Sequence, residues 1–245
     1  MDSIEAPKSL RHIEDIPQPH LNSQFSFSKD LQIFLQGRQL LLDEIPFTIE
    51  EIDQHYQHGY IQYDKGIRFS HGKIECARCG NKKPHLFASF RCARCHEMCS
   101  YCRTCIMLGR VSQCTPLLRW TGPTTDIEVE EPVLAWEGEL SEEQDSAAQR
   151  LVTAIDEKQP LLIWAVCGAG KTEMLFPGIE RALRHKKRIL IATPRTDVVL
   201  ELTPRLKQAF PTTKIISLYG GSEDKGKDGQ LVISTTHQLL RYREF

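Results

Sequence analysis

The segment "AVCGAGKT", residues 165–172, constrains the fold of this 245-residue chain more than any other feature. It follows the apolar run "PLLIW" and precedes a segment with helical periodicity, which predicts a strand before it and a helix after it. Glycines at positions 168 and 170 permit positive φ and let backbone amides approach an anion closely. This order of elements predicts a phosphate-binding loop.

The template G-x-x-x-x-G-K-[ST] fits from Ala165 onwards, with alanine in place of the first glycine. Lys171 supplies a cation for the β- and γ-phosphates and Thr172 a hydroxyl for Mg²⁺, so these two are the candidate catalytic residues. Gln144, 27 residues before Lys171, has an amide that can read an adenine edge, which favours ATP. The candidate nucleotide-binding residues are Gln144, Ala165, Val166, Cys167, Gly168, Ala169, Gly170, Lys171 and Thr172.

Apolar runs alternate with amphipathic segments from residue 140 onwards. Strands are predicted at "PLLIWAV", "KRILIATP", "TKIISLYG" and "QLVISTT", and helices lie between them. This alternation indicates an α/β fold with a parallel sheet flanked by helices. Polar residues follow two of the strands, where open α/β sheets place their ligands. Thr193, Arg195, Thr235 and Thr236 are therefore candidate contacts to the phosphates of a nucleic acid.

Eight of the nine cysteines lie between residues 76 and 114, and most are paired as C-x-x-C. Because no signal peptide is recognisable at the N-terminus, a cytosolic location is predicted, where such a cluster indicates Zn²⁺ rather than disulfides. Two partitions are open. Sequential pairing would use Cys76, Cys79, Cys92 and Cys95, then Cys99, Cys102, Cys105 and Cys114. Alternatively, one main site joins Cys76 and Cys79 to Cys102 and Cys105, which leaves Cys92, Cys95 and Cys99 for another role.

The cysteine-rich stretch is also basic, with eight lysines and arginines against two glutamates between residues 73 and 110, a net charge of +6. Each zinc bound by four thiolates subtracts two charges. Phe87, Phe90 and Tyr101 lie among these cations, a combination that suits single-stranded DNA. The whole chain has a formal net charge of −1, so any contact to nucleic acid has to come from a local patch.

Composition divides the chain into five parts: a flexible leader (1–24), a small helical region (25–72), the cysteine module (73–115), a linker rich in proline and acid (116–139) and the α/β lobe (140–245). In the helical region, Ser28 and Thr48 are predicted helix caps. No run of about 18 apolar residues is present, so no membrane span is predicted.

The cysteine module and the motifs "LSEEQ", "AVCGAGKTEM", "ATPRTDVVLEL" and "STTHQLLR" together resemble the ComFA family, helicase-like ATPases of DNA uptake in the natural competence of Firmicutes. The resemblance implies a RecA-like motor of helicase superfamily 2 (DEAD/DEAH-type) that uses ATP, Mg²⁺ and Zn²⁺ to pull transforming single-stranded DNA. It also implies a competence operon partner, a DNA-uptake membrane channel, and a cytoplasmic location, either free or at the inner face of the cell membrane.

The resemblance assigns adenine reading to Gln144 and places cysteine 167 where the family usually has threonine. It favours the partition with one main zinc site. Its candidate DNA-binding residues are Thr193, Pro194, Arg195, Thr235, Thr236 and His237. The candidate metal ligands are Cys76, Cys79, Cys102, Cys105, Cys92, Cys95 and Cys99.

In the family, an acidic Walker B box and a second RecA-like lobe follow the region where this sequence ends. An incomplete RecA-like lobe, preceded by a zinc module and short helices, is therefore expected, and the 245-residue chain alone should hydrolyse ATP negligibly. Two other functions stay open. One is a zinc-dependent DNA-binding or adaptor module with an unused nucleotide site. The other is a replication-restart helicase relative, although those helicases carry their zinc ligands between the two lobes.

Overall fold

The computed structural model describes residues 9–70, 72–166, 168–224 and 226–243. These residues form two compact units, one of residues 9–124 with 240–243 and one of residues 125–239. Of the residues described, none belongs to a helix that is long and apolar enough to cross a membrane.

The first unit combines two α-helices with short antiparallel sheets. Its elements are α1 (Lys29–Leu35), α2 (Ile49–Gln57), β1 (Gln39–Leu41), β2 (Ile61–Lys65), β3 (Ile67–Ser70), β4 (Lys73–Cys76), β5 (Phe87–Arg91), β6 (Met98–Cys102) and β7 (Pro116–Trp120). Single-turn 3₁₀ helices lie at Leu10–His12, Leu42–Glu44, Pro84–Leu86 and Ile106–Leu108. Strands β1, β7 and β2 form one sheet in that order, while β3–β4 and β5–β6 are separate hairpins.

The three-stranded sheet and both helices enclose an apolar core. Leu31 and Leu35 from α1, Ile52 from α2, and Ile61 and Leu118 from the sheet are all buried. Each helix begins at a side-chain cap: Ser28 Oγ accepts from the Leu31 amide at 3.3 Å, and Thr48 Oγ1 from the Glu51 amide at 3.2 Å. Both caps satisfy an amide that has no partner within its helix.

Replacing Thr48 by alanine is expected to lower the free energy of unfolding of the first unit by about 1 kcal/mol, because the Glu51 amide loses its acceptor. Thr48→Ser keeps the hydroxyl and is the matched control. Urea unfolding followed by circular dichroism measures the difference. Equal transition midpoints for the alanine and serine variants would show that this cap does not stabilise α2.

The second unit is an α/β structure with a parallel sheet. Its elements are α3 (Glu142–Glu157), α4 (Lys171–Met174), α5 (Phe176–Arg184), β8 (Ile189–Thr193), α6 (Thr196–Ala209), β9 (Ile215–Leu218) and β10 (Leu231–Thr235), and a 3₁₀ turn follows at Gln238–Arg241. The three strands pair in the order β8-β10-β9, and both pairs are parallel. The α/β class predicted for this half is therefore confirmed. Its core includes Phe176, Val199, Phe210, Leu231 and Ile233.

The predicted strand at "PLLIWAV" is absent, and residues 160–166 are irregular. Leu162, Trp164 and Val166 are 83%, 91% and 75% exposed. A strand is stable only when neighbours take up its backbone hydrogen bonds, and no described strand pairs with this segment. The apolar composition of this segment predicted a buried strand, but among the described residues no neighbouring strand covers it.

The predicted linker, residues 116–139, also differs from the structure. Its first part is β7, which pairs with β1 and β2 and is the central strand of the first sheet. In its second part, Val133 is 1% exposed in the core of the second unit, and the Ala135 amide donates to the Ala209 carbonyl at 2.8 Å. Proline and acidic residues suggested a linker, but the apolar residues between them are packed.

Within the predicted flexible leader, residues 1–8 lie outside the described residues, and residues 9–24 contact the first unit. The Asn22 amide donates to the His58 carbonyl at 3.0 Å. The Tyr56 hydroxyl donates to the Pro17 carbonyl at 2.5 Å, and the Tyr60 hydroxyl to the Asn22 carbonyl at 3.0 Å. Residues 9–24 are therefore held to the first unit by hydrogen bonds and are not a free leader.

Candidate nucleotide loop and cysteine metal centre

The predicted phosphate loop joins the irregular segment 160–166 to α4. Gly168 and Gly170 have φ of +79° and +66°, the left-handed region that glycine adopts without strain. A Cβ at Gly168 would meet no atom within 4 Å, whereas one at Gly170 would lie 2.6 Å from Gln144 Nε2. Cys167 lies outside the described residues. The loop therefore has open space at Gly168 and a close neighbour at Gly170.

Lys171 is the first residue of α4, and its side chain turns back to the loop. Its Nζ donates to the carbonyl oxygens of Ala165 at 3.1 Å and Val166 at 2.5 Å. Thr172 follows in the same turn and is partly exposed. An anion in the loop would have to replace the two carbonyl oxygens as the partner of this ammonium group.

Gln144 connects α3 to the loop, although 25 residues separate it from Ala169. Its Nε2 donates to the Ala169 carbonyl at 2.9 Å, and its Oε1 accepts from the Ser141 amide at 2.8 Å. Ser141 Oγ in turn accepts from the Gln144 amide at 3.3 Å, which completes a capping box at the start of α3. The capping box thus fixes the side chain that contacts the loop.

The two candidate DNA-contacting motifs are neighbours at the carboxyl end of the parallel sheet. Thr193 at the end of β8 is in register with Thr235 at the end of β10, and the Thr236 amide donates to the Thr193 carbonyl at 3.0 Å. Thr193 and Thr235 are buried, while Pro194, Thr236 and His237 are exposed. This edge therefore presents backbone and polar side chains to solvent.

Arg195 is the most exposed charge at this edge, with 69% of its side chain accessible, and it forms an ion pair with Asp197. Its guanidinium holds the pKa of the Asp197 carboxyl below its usual range. A phosphate at this position would compete with Asp197 for the guanidinium. Asp197 was not among the residues selected from the sequence.

Eight cysteines form two groups of four in the first unit, and within each group the four sulfurs lie within 4.8 Å of one another. The first group is Cys76, Cys79, Cys102 and Cys105, and the second is Cys92, Cys95, Cys99 and Cys114. The two groups interleave along the chain, so the sequential partition differs from the structure. Cys114 appeared only in the sequential partition and not among the ligands favoured by the resemblance, although eight cysteines already allowed two groups of four.

The sulfur–sulfur distances in both groups suit a tetrahedral ion. Cys76 and Cys105 are 3.7 Å apart and Cys79 and Cys102 3.6 Å apart in the first group, while Cys99 and Cys114 are 3.6 Å apart in the second. Four sulfurs at about 2.3 Å from Zn²⁺ define a tetrahedron with edges of about 3.8 Å. The chemistry and the spacing of the donors thus fit Zn²⁺ in either group.

One thiol in each group has a lowered pKa. Hydrogen bonds from Cys105 and Cys76 lower the pKa of the Cys79 thiol. Burial raises the pKa of the Cys92 thiol, but the amides of Cys95 and Arg94 donate to its sulfur and bring this pKa down to about 7. Metal ligation requires thiolates, and in each group one thiol loses its proton more readily than an ordinary cysteine does.

The arginines of the two "CARC" knuckles fix the surroundings of the groups. Arg78, whose side chain is fully buried, donates to the Leu108 carbonyl at 2.9 Å and forms an ion pair with Glu44. Arg94 donates to the Cys114 carbonyl at 2.8 Å. Each arginine thus ties its knuckle to a segment far away in the sequence.

A basic and aromatic face lies on the β5–β6 hairpin. The Arg110 guanidinium lies 4.3 Å from the centre of the Phe90 ring, and Phe90 meets Tyr101 edge to face at 5.8 Å. Cation–π contact of this kind holds an arginine beside an aromatic surface. One arginine and two of the three predicted aromatic residues are therefore neighbours, whereas Phe87 packs against the first cysteine group.

Comparison with known proteins gives two family matches in tandem. Residues 22–119 match the competence protein ComFA N-terminal domain, and residues 137–244 match the type III restriction enzyme res subunit family, a helicase-like domain. The chain is 50% identical over 219 residues to the competence protein ComFA of Bacillus subtilis, an alignment of 89% of this chain and 47% of the relative.

It is also 38% identical over 142 residues to the competence protein ComFA of Streptococcus pneumoniae, which covers 58% of this chain and 32% of that relative. The chain spans about half the length, or less, of the curated relatives it matches. It therefore carries a ComFA N-terminal domain followed by a helicase-like domain, and corresponds to the N-terminal part of the ComFA proteins.

Proposed function

We propose that this chain supplies the nucleotide-binding loop and a zinc-stabilised module of an ATP-dependent motor that moves single-stranded DNA into the cell during competence. The contact between Gln144 and Ala169 carries the nucleotide part of this proposal. It holds an amide that can read an adenine edge next to the phosphate loop. The match to ComFA relatives supports the role in competence and DNA uptake.

In this proposal the second unit is part of a RecA-like lobe. The amides around Gly168 and Gly170 face the phosphates, the Lys171 ammonium binds the β- and γ-phosphates, and the Thr172 hydroxyl is a ligand for Mg²⁺. Ala165, Val166, Cys167 and Ala169 complete the loop. Binding requires Lys171 to leave the carbonyl oxygens of Ala165 and Val166, so the loop reorganises when ATP enters.

The carboxyl edge of the parallel sheet is the proposed DNA contact of this unit. Exposed Thr236 and His237 and the exposed Arg195 guanidinium can donate to phosphate oxygens, while buried Thr193 and Thr235 fix the backbone of the same edge. Contacts of this kind hold a strand irrespective of its sequence. That property suits a motor for transforming DNA of any sequence.

Zn²⁺ in the first cysteine group is proposed to stabilise the module. The surrounding cluster joins Cys76, Cys102 and Cys105 to Leu41, Ile67 and Leu117, so the metal would fasten the module to the strands next to it. The Phe90–Arg110 face on the same module is a candidate second contact for the bases of single-stranded DNA.

The proposal for the whole protein includes partners and a location. A protein from the competence operon and the DNA-uptake membrane channel are the proposed partners, and the protein would act in the cytoplasm or at the inner face of the cell membrane. Co-purification of the complete protein with the products of its operon, with and without single-stranded DNA, tests this arrangement.

Replacing Gln144 by glutamate is expected to weaken ATP binding by about fivefold to tenfold, because a carboxylate can donate neither to adenine nor to the Ala169 carbonyl, and a hydrogen bond contributes about 1 kcal/mol. Glutamate still accepts from the Ser141 amide, so the capping box persists. Calorimetric titration of the chain with ATP and with GTP measures both effects. The wild-type preference for ATP should be lost, and an unchanged preference would remove Gln144 from nucleotide recognition.

A non-catalytic DNA-binding adaptor is the second candidate function. The Lys171 ammonium, bonded to carbonyl oxygens of its own loop, favours this alternative, because an unused site would keep such contacts. Equilibrium binding of ATP to the chain separates the two candidates. Binding that requires Lys171 supports the motor, and DNA binding without any nucleotide binding supports the adaptor.

A further inference from the structure

The second cysteine group differs from the first in what surrounds it. The first group is packed against aliphatic residues, including Leu41, Val111 and Leu117. Around the second group the apolar cluster consists of Cys92, Cys99 and Cys114, with Cys95 and Phe90 beside them. So small a cluster buries little apolar area, so its order must depend on another interaction. Four sulfurs at tetrahedral distances provide one if they bind a metal ion.

The fourth ligand of this group is fixed by contacts of its own. Cys114 lies just before β7, and its carbonyl accepts a hydrogen bond from Arg94, the arginine of the Cys92–Cys95 knuckle. Its sulfur lies 3.6 Å from that of Cys99. The knuckle therefore holds Cys114 in ligating position through a residue that is not itself a ligand.

The N-terminal segment lies directly on this group. It carries Arg11, whose guanidinium faces the two residues just before Cys99. The same guanidinium donates to the Met98 carbonyl and pairs with Glu97 at 3.1 Å, and His12 Nε2 is 3.2 Å from the other Glu97 oxygen. One short segment thus contacts the β5–β6 hairpin at the two residues that precede Cys99.

The charge of the cysteine group decides when Arg11 is held most firmly. Four thiolates around a divalent cation carry a net charge of −2, and Glu97 adds another negative charge beside them. The guanidinium of Arg11, held beside Glu97 and the residue before Cys99, offsets part of this charge. The metal-bound form should therefore hold Arg11 more firmly than the protonated thiols, which carry no charge.

We propose that Cys92, Cys95, Cys99 and Cys114 form a second Zn²⁺ site, separate from the first, and that the N-terminal segment around Arg11 docks on it only when the metal is bound. Metal occupancy and the order of this segment are then coupled, and each stabilises the other. This inference goes beyond the proposed function, because it requires neither nucleotide nor DNA.

The zinc content of the chain tests whether the second Zn²⁺ site exists. The wild-type chain is expected to bind about two Zn²⁺ ions, and Cys114→Ser and the matched first-group variant Cys105→Ser about one each. Replacing Zn²⁺ by Co²⁺ should give the absorption of tetrathiolate sites, at about half intensity in either variant. One ion in the wild type, with no loss in Cys114→Ser, would overturn the second site.

Hydrogen exchange of residues 9–16 tests the coupling. Exchange is expected to accelerate about tenfold or more in Cys114→Ser but not in Cys105→Ser, because only the former removes the docking surface. Since a variant can misfold, the wild-type chain is also treated with a chelator and then reloaded with Zn²⁺, which should release and restore the segment. Exchange in the wild type that does not depend on the metal would overturn the coupling.

The variant Arg11→Ala tests the reciprocal effect, which is that of the N-terminal segment on the retention of Zn²⁺. It should accelerate the release of one of the two Zn²⁺ ions to a chelator several-fold and leave the other unchanged, because linkage makes the coupling mutual. Arg150→Ala, on α3 of the other unit, is the control and should leave both release rates unchanged. Identical release from Arg11→Ala and the wild type would contradict a role for Arg11 at this site.

Discussion

Replacing Lys171 by alanine in the complete protein is expected to reduce ATP hydrolysis by on the order of 100-fold or more, because the compact cation for the β- and γ-phosphates is lost. DNA transport driven by hydrolysis should be lost with it. The Lys171 ammonium contacts only exposed carbonyl oxygens of its own loop in the part of the chain described here. The fold and the zinc content should therefore persist.

Lys187→Ala is the matched control, because this exposed lysine follows α5 and lies outside the loop. Steady-state ATP turnover and transformation frequency are measured for both variants. A Lys171→Ala protein that transforms cells as the wild type does, or hydrolyses ATP within about twofold of it, would refute the assigned role of the loop.

The double variant Cys76→Ser with Cys102→Ser is expected to lose the Zn²⁺ of the first cysteine group and to destabilise the strands that pack against this group. Structural zinc contributes about 10 kcal/mol or more to small metal-binding folds, which is as large as the whole stability of a typical domain. Cys76 and Cys102 are fully buried among Leu41, Ile67 and Leu117, so the loss should spread to the neighbouring strands.

Zinc content and thermal unfolding measure this loss, and binding of single-stranded DNA should weaken with it. Cys167→Ser is the control, because position 167 lies in the sequence of the phosphate loop rather than the cysteine module. An unchanged zinc content in the double variant would show that neither cysteine is a ligand. A zinc-free but fully stable module would show that the metal has no structural part.

Local signals predicted much of this structure from the sequence. Ser28 and Thr48 cap their helices because the hydroxyl, the amide it satisfies and the helix start lie within four residues. Strands β8, β9 and β10 consist mainly of apolar residues, as strands of parallel sheets do. Amide chemistry and the family resemblance suggested Gln144 as an adenine contact, and the structure adds its hydrogen bond to Ala169.

Features that depend on distant partners were not predictable in the same way. Strand β7 begins with Pro116 and pairs with β1, which lies about 80 residues earlier in the chain. Because this partner is distant in the sequence, the composition of the segment alone suggested a linker. The grouping of Cys114 with Cys92 depends on how the β5–β6 hairpin folds, and spacing fitted more than one partition. Arg11 carries no motif, and only the folded unit shows which residues it contacts.

ATP turnover by the complete protein, measured with and without single-stranded DNA, tests the central claim most directly. The account predicts hydrolysis that DNA stimulates, that Lys171→Ala abolishes, and that Lys187→Ala retains. Tight binding of DNA with no turnover of ATP, in a protein with its full complement of zinc, would contradict it and identify the protein as an adaptor.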